Sequence, residues 1–421
     1  MTEEQVDPAS GSVLRHAHLY SPGTAASLHL RDAAVVMSAG RIDWCGADDR
    51  LPQRFQQLPQ YDCGGRLLTP GLIDCHTHIV AAGTRADEFA QLLHGVEYSD
   101  IAANGGGIMS TVHATRAATE DELLQLALQR VDDMLACGVT TLEIKSGYGL
   151  TLEHELKQLR VIARIRAARP VRIKATLLAL HKLAPEFAGR ADDYVDYSCD
   201  ELIPAVAQAG LADAVDAYCE HIAFSPAQVE RLFAAATAHG LDIKLHAEQL
   251  SNQHGAALAA RHGALSVDHL EYLDNAGIAA LAASNTVAVM LPAAFYTLRE
   301  TRLPPVTQLL QAGVPVAVAT DSNPGTAPLT SILLAMNMAC TLFRMTPEQA
   351  LAGTTLNAAR ALGLGTETGS IEIGKRADLA LWNLDQPEEL SYLVGVNRLH
   401  RRYHAGQYEP AIPSNDRTAP R

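Results

Sequence analysis

From residue 119 onward, apolar positions alternate between two periods. Thr119-Glu120-Asp121-Glu122 reads as a helix N-cap with extra acidic charge in the first turn. Leu124, Ala127, Leu128, Val131, Met134 and Leu135 follow at the spacing of one helical face. Gly138 stops that helix, and Val139-Thr140-Thr141-Leu142-Glu143-Ile144 reads as a strand. The unit then recurs. A helix over 151–167 precedes a strand from Val171 to Ala179. Ser225-Pro226 opens a helix that ends before Gly240, with Pro at the first helical position and Gly just past the end. It leads into Asp242-Ile243-Lys244-Leu245-His246. Helices over 251–262, 273–283 and 305–312 precede strands at 265–269, 286–290 and 314–320.

Strands alternating with helices imply a parallel sheet covered by helices. About eight such strands fall between residues 68 and 321, which predicts an α/β fold of the (β/α)₈ TIM-like barrel type. A doubly wound open sheet is the alternative. The two ends of the chain read differently. Residues 1–67 hold short strands and turns, including a hairpin in which Val35-Val36-Met37 and Ile42-Asp43-Trp44 flank a Gly40 turn. Residues 364–421 return to turns and short strands, with a loose tail expected after Pro410. The two ends are expected to pair into a small flanking β-sandwich domain beside a catalytic barrel spanning 68–363.

Composition narrows the possibilities. The 421 residues are 48% hydrophobic, enough for a large core and a smaller one. The formal charge is -14, without a basic cluster, which argues against nucleic acid and anionic membrane as partners. Seven cysteines, at 45, 63, 75, 137, 199, 219 and 340, form no Cys-x-x-Cys; reduced thiols in a cytoplasm fit best. The acidic start Met1-Thr2-Glu3-Glu4 does not read as a secretory signal, and no apolar run is long enough to span a bilayer.

The candidate chemistry is organised around Asp74-Cys75-His76-Thr77-His78, which follows the apolar run Leu67–Ile73. Residues two apart in a strand share a side, so His76 and His78 can aim at one point. A lone His-x-His is weak evidence. The weight comes from convergence: Lys145 to Tyr148, His181, His246, His269 and Asp321 also fall just after strands. In a parallel barrel those strand ends make one face, where active sites lie. His76, His78, His246 and Asp321 make an N,N,N,O donor set suited to zinc or iron. An ion there lowers the pKa of water for attack on a carbonyl or amidine carbon, and His269 and Asp321 can take or pass the proton.

Pro70-Gly71-Leu72-Ile73-Asp74-Cys75-His76-Thr77-His78, the later histidines and aspartate, and the ending Gly369-Ser370-Ile371-Glu372-Ile373-Gly374-Lys375-Arg376-Ala377-Asp378-Leu379 resemble the amidohydrolase superfamily over nearly the whole chain. Finer segments resemble its imidazolone-ring hydrolases of histidine degradation. They are Gly105-Gly106-Gly107-Ile108, Thr111-Val112 with Ala114-Thr115-Arg116, Glu143 to Leu150, Lys244 to Asn252, Asp268-His269-Leu270-Glu271 and Asp321 to Thr326. The resemblance implies hydrolytic ring opening of 4-imidazolone-5-propanoate to N-formimidoyl-L-glutamate, one zinc or iron ion per chain, and a homodimer.

The residues suit that small anionic substrate. Arg85, seven positions beyond His78, can grip a propionate, or else pair with Asp87 or Glu88. Tyr148 lies between glycines that let a loop approach a ligand. By likeness His181 contacts substrate, and Asn323, Gly325 and Thr326 resemble a product-binding loop. Gln249 can donate and accept, as a ring with N–H and C=O requires. Two departures from other amidohydrolases stand out. The comparable fourth-strand position holds His181 rather than a metal-bridging lysine, with Lys174 too early, which argues for one metal. Related deaminases carry a proton-shuttling glutamate where this chain has Gln249, with Glu248 expected to point elsewhere. Glu143 and Lys145, placed at the end of the third strand, read as structural or supporting. The alternatives are another cyclic-amide hydrolase, a nucleobase deaminase, or a barrel that has lost catalysis and only binds.

Overall fold

The apolar run at 67–73 is two strands, and the break between them separates the two halves of the molecule. Leu67–Pro70 pairs with Leu379–Trp382 and with Ser12–Ser21, whereas Leu72–Asp74 pairs with Val139–Lys145. Gly71 turns the chain between them; a Cβ there would collide with the Thr140 side chain. The computed structural model describes residues 11–23, 26–96, 100 and 105–410. The tail after Pro410 and the first ten residues lie outside the described residues.

Leu72–Asp74 is the first of eight parallel strands. The others, in chain and spatial order, are Val139–Lys145, Arg172–Leu180, Ala214–Cys219, Asp242–Ala247, Ser266–His269, Val287–Met290 and Val316–Val318. The fourth, Ala214–Cys219, is not among the strands that the pattern predicts. Its Asp216 interrupts the apolar run, and a helical stretch from Ala191 to Ala209 precedes it. His181 therefore follows the third strand rather than the fourth, and Glu143 and Lys145 lie on the second rather than the third. The fourth strand itself contains no lysine.

The barrel closes through its first and last strand ends. Thr77 bridges Ser322 in parallel, the His78 N–H donates to the Ser322 carbonyl at 2.8 Å, and the Asp321 N–H donates to the His76 carbonyl at 3.0 Å. Asp74 accepts from the Thr320 N–H at 3.1 Å and from its hydroxyl at 2.6 Å. The strands are buried on both faces, as a helix-covered parallel sheet requires; all seven residues of Val139–Lys145 are buried, Glu143 and Lys145 included.

The helices follow their caps. Glu120–Ala136 starts at Thr119 with a full capping box to Glu122, and Pro226–Ala238 starts at Ser225 with another to Gln228. The helix expected over 251–262 runs only from Gly255 to Arg261. The Glu248 carboxylate accepts from the Gly255 and Ala256 N–H groups, so the helix begins where that carboxylate caps it. Among the described residues, no helix is long and apolar enough to cross a membrane.

The two chain ends form one mixed sheet of eight strands beside the barrel. The hairpin pairs Leu28–Ser38 with Arg41–Ala47 across Ala39 and Gly40, both at positive φ (46° and 79°) as a tight hairpin turn demands. Trp382 joins this sheet to the barrel. Its ring is fully buried, its indole N–H donates to the Thr69 hydroxyl at 2.9 Å, and it packs on Gly138. A Cβ at Gly138 would stand 2.6 Å from that ring, at φ +85°. Gly138→Ala is therefore expected to cost about 1–3 kcal/mol of stability through overpacking. A urea unfolding midpoint equal to that of the unaltered protein would mean that the Trp382 ring yields without loss.

Candidate active site

His76 and His78 extend from the first strand onto the carboxyl-end face of the barrel. Their Nε2 atoms are 3.1 Å apart, and each lies 3.4 Å from Asp321 Oδ1. His246, from the end of the fifth strand, joins them; His76, His78 and His246 each offer a nitrogen within 4.8 Å of the others. All four residues are buried. Tetrahedral ligands about 2.1 Å from one ion stand about 3.4 Å from each other. The spacing, the imidazole-plus-carboxylate chemistry and one orphaned nitrogen all fit an ion. His246 Nε2 is buried with no hydrogen-bond partner, a costly state unless something binds there.

Behind these histidines lies a layer of charge. His76 Nδ1 is 2.6 Å from Asp268 Oδ2; since a carboxylate only accepts, the ring donates there and turns its Nε2 towards Asp321. His246 Nδ1 is 3.1 Å from Asp216 Oδ2, close enough for ion pairing but off the axis of a hydrogen bond. Lys145 Nζ reaches Asp216 at 2.7 Å, Glu143 at 3.0 Å and Asp268 at 3.9 Å. Lys244 Nζ reaches Glu143 at 2.8 Å and donates to the Cys75 carbonyl at 3.0 Å. These five charged side chains are buried.

The charges decide one another's ionisation. Burial opposes the Lys145 ammonium, yet Asp216, Glu143 and Asp268 hold it above the usual lysine range. Burial likewise opposes ionised Asp216, but His246 and Lys145 pull it well below the usual carboxylate range. Burial and the Lys145 charge disfavour a cationic His76; Asp268 and Asp321 override both and hold it at about 9. Elsewhere burial wins: it lowers His78 to about 4, and His181 and His269 to about 3. The last three are neutral imidazoles at neutral pH.

His269 ends the sixth strand at φ +84°, and Asp321 follows the eighth at φ +55°. Left-handed backbone at such residues is strained, and it is held here where side chains must converge. His269 places its ring centroid 5.5 Å from His246, tilted, and 6.1 Å from His76, edge-on. His181 stacks on His78 at 5.7 Å and meets the Gly147 carbonyl through Nδ1 at 2.9 Å. Tyr148 closes the group, with its ring 5.3 Å from His181 and 6.2 Å from His78.

Arg85 reaches over from the loop after His78. Its Nε donates to the Thr111 hydroxyl at 3.0 Å, and its guanidinium lies against Gly325, where any Cβ would collide with it. No carboxylate among the described residues pairs with Arg85. Glu88 instead accepts from the Gly107 N–H and the Ser110 hydroxyl. Asn323 occupies its side chain with its own loop: its amide donates to the Asp321 carbonyl at 2.7 Å and accepts from the Gly325 and Thr326 N–H groups at 2.8 and 2.7 Å. Gln249 Oε1 accepts from the Tyr218 hydroxyl at 2.8 Å. The fold thus groups His76, His78, His246, His269, His181, Tyr148 and Asp321 at one face of the barrel. It adds Asp216, Asp268, Lys244, Tyr218 and Arg130, whose guanidinium donates to the Ile79 and Ala81 carbonyls after the His-x-His stretch. The available signal was an ionised residue inside an apolar strand, which a core tolerates only when paired.

Residues 67–401 match the amidohydrolase family, so fold and site together define an amidohydrolase. Solved structures share that fold at low identity. The 5-methylcytosine deaminase of Klebsiella pneumoniae superposes with a TM-score of 0.73 at 16% identity, covering 94% of this chain and 96% of that one. Sequence relatives are far nearer. The imidazolonepropionase of Cupriavidus pinatubonensis is 56% identical over 382 residues, 91% of this chain and 90% of that protein. The imidazolonepropionase of Cereibacter sphaeroides is 59% identical over 380 residues, 90% of this chain and 95% of that protein. The chain belongs to the imidazolonepropionase family of amidohydrolases.

The buried charges generate one prediction. Lys145→Met leaves Asp216 and Glu143 without their shared ammonium and is expected to cost about 3–5 kcal/mol of stability. Chemical denaturation of the two proteins measures it; a loss below about 1 kcal/mol would mean that the carboxylates find another partner.

Proposed function

We propose that this chain opens the ring of 4-imidazolone-5-propanoate by hydrolysis, giving N-formimidoyl-L-glutamate in histidine degradation, with one zinc or iron ion held by His76, His78, His246 and Asp321. The observation that carries the reading is the mutual 3.1–3.4 Å spacing of His76 Nε2, His78 Nε2 and Asp321 Oδ1, together with an Arg85 that has no carboxylate partner among the described residues. The absence of a lysine from the fourth strand supports a single ion. An ion bound there supplies Lewis acidity and lowers the pKa of water towards neutrality.

The chain's own groups do the rest. The Arg85 guanidinium binds the propionate, and Tyr148 and His181 orient the ring beside it. The loop from Asn323 through Gly325 and Thr326 lies against Arg85 and closes that end of the pocket. Neutral His269 polarises the ring carbonyl or accepts a proton from the attacking water. Water oxygen bonds to the carbonyl carbon, the C–N bond breaks, and the water proton passes through Asp321 to the departing ring nitrogen. Gln249 stands where an ionisable shuttle would serve a deaminase, which favours hydrolysis of the ring over loss of an exocyclic amine. In this reading the barrel at 68–363 is the catalytic domain, flanked by 1–67 and 364–421. The enzyme acts on a small anionic molecule in the cytoplasm as a homodimer, and neither nucleic acid nor membrane is a partner.

Loss of imidazolonepropionate absorbance, followed with and without a chelator alongside metal analysis, tests the proposal. About one zinc or iron per chain and chelator-sensitive turnover are expected. Metal-replete protein that leaves the substrate intact would refute the substrate assignment, and turnover surviving complete metal removal would refute the mechanism. His269→Ala is expected to lower kcat by about a hundredfold or more while metal content stays near one; metal loss would make His269 a ligand instead. Arg85→Ala is expected to raise KM roughly tenfold to a hundredfold, the worth of a hydrogen bond to a charged group. An unchanged KM would move the propionate elsewhere.

A further inference from the structure

The fourth strand ends in Tyr218-Cys219, and Glu220 follows directly. Tyr218 and Glu220 both reach the loop that follows His246. The Tyr218 hydroxyl donates to Gln249 Oε1 at 2.8 Å. Glu220 is buried; its Oε1 accepts from the Leu250 N–H at 2.9 Å and the Ser251 N–H at 3.2 Å, and its other oxygen accepts from the Ser251 hydroxyl. On the near side, Glu248 sits at φ +53° with its carboxylate turned away to the Gly255 and Ala256 N–H groups. Residue 249 is therefore held on three sides: by a strained residue before it, a carboxylate clamp after it, and a hydroxyl on its own amide.

A primary amide has an accepting end and a donating end. With Oε1 engaged by Tyr218, the other end is Nε2, which makes no hydrogen bond among the described residues. We propose that Tyr218 is a positioning residue that locks the Gln249 amide so that it donates to the ligand. Position 249 then favours a ring carbonyl, or the carboxylate formed from it, and disfavours a ring bearing an exocyclic amine, which would bring donor against donor. The inference rests on the ring-opening reading above and assigns the recognition task at one point of that site.

The test is a double-mutant cycle on metal-loaded full-length protein: unaltered, Tyr218→Phe, Gln249→Ala and the double variant. Each is titrated calorimetrically with N-formimidoyl-L-glutamate and assayed for turnover. Tyr218→Phe is expected to weaken binding about fivefold to tenfold, the worth of one hydrogen bond, and to raise KM by a similar factor with kcat within about twofold. In the Gln249→Ala background the same change is expected to cost less than about twofold, because Tyr218 acts through the amide. Gln249→Glu, which keeps an acceptor for Tyr218 but offers no donor, is expected to bind at least as poorly as Gln249→Ala. Equal losses from Tyr218→Phe in both backgrounds would overturn the inference. So would loss of metal from Tyr218→Phe, since that ring also stands 6.1 Å from His246 and would then act through it. Melting temperature, measured on all variants, separates misfolding from lost recognition. Failure of the unaltered, metal-loaded protein to turn over imidazolonepropionate refutes the underlying reading, whereas normal turnover with an additive cycle refutes the role of Tyr218 alone.

Discussion

The site depends on a buried ammonium. Lys145 stands between the carboxylates that face the outer nitrogens of two different histidines, Asp216 behind His246 and Asp268 behind His76. Without compensation, two ionised aspartates in a dry barrel would repel and take up protons. A protonated carboxyl can donate, and an imidazole facing it need not keep its proton on Nδ1. The lysine keeps the carboxylates as acceptors; Asp268 then accepts from His76 Nδ1 and turns its Nε2 inward, while Asp216 faces His246 Nδ1. That chain of causes draws on five barrel strands. Such a set of buried charges is weak evidence for stability in itself, since desolvation consumes much of the attraction; its clearer product is orientation.

Strain is distributed to the same end. Glu248, His269, Leu270 and Asp321, at the ends of the fifth, sixth and eighth strands, have positive φ without being glycine. Each turns the chain sharply at the carboxyl edge of the sheet, where side chains must converge rather than alternate. The barrel below, packed on both faces, holds the backbone in these conformations.

Much of this was legible in the chain. Periodicity located seven of the barrel strands because apolar runs alternate with amphipathic helices and their caps. The fourth was hidden by Asp216, whose charge breaks the apolar pattern for the very reason that it matters: it faces Lys145 inside the barrel. Missing that strand displaced the numbering of its neighbours and assigned His181 one strand too late. The convergence of histidines at strand ends was readable, because strand ends share a face. The supporting layer showed only as charges set inside apolar strands, at Asp216, Lys244 and Asp268; which of them pair is decided across the barrel. The beginning of the helix at Gly255 was obscured for a similar reason. Its cap comes from Glu248, seven residues earlier and outside the usual N-cap position.

The seam between the first and last barrel strands bears on how the molecule is made. Asp74 and Thr320, which bond across it, are 246 residues apart in the chain. The small sheet has the same property, since Leu67–Pro70 waits for Leu379–Trp382. A ribosome therefore releases the chain past Thr320 before the barrel can close, and past Trp382 before the small sheet can. Contacts of such sequence separation make folding slow and leave apolar strand edges unsatisfied for most of synthesis. The three histidines therefore meet Asp321 only once the last barrel strand has been made.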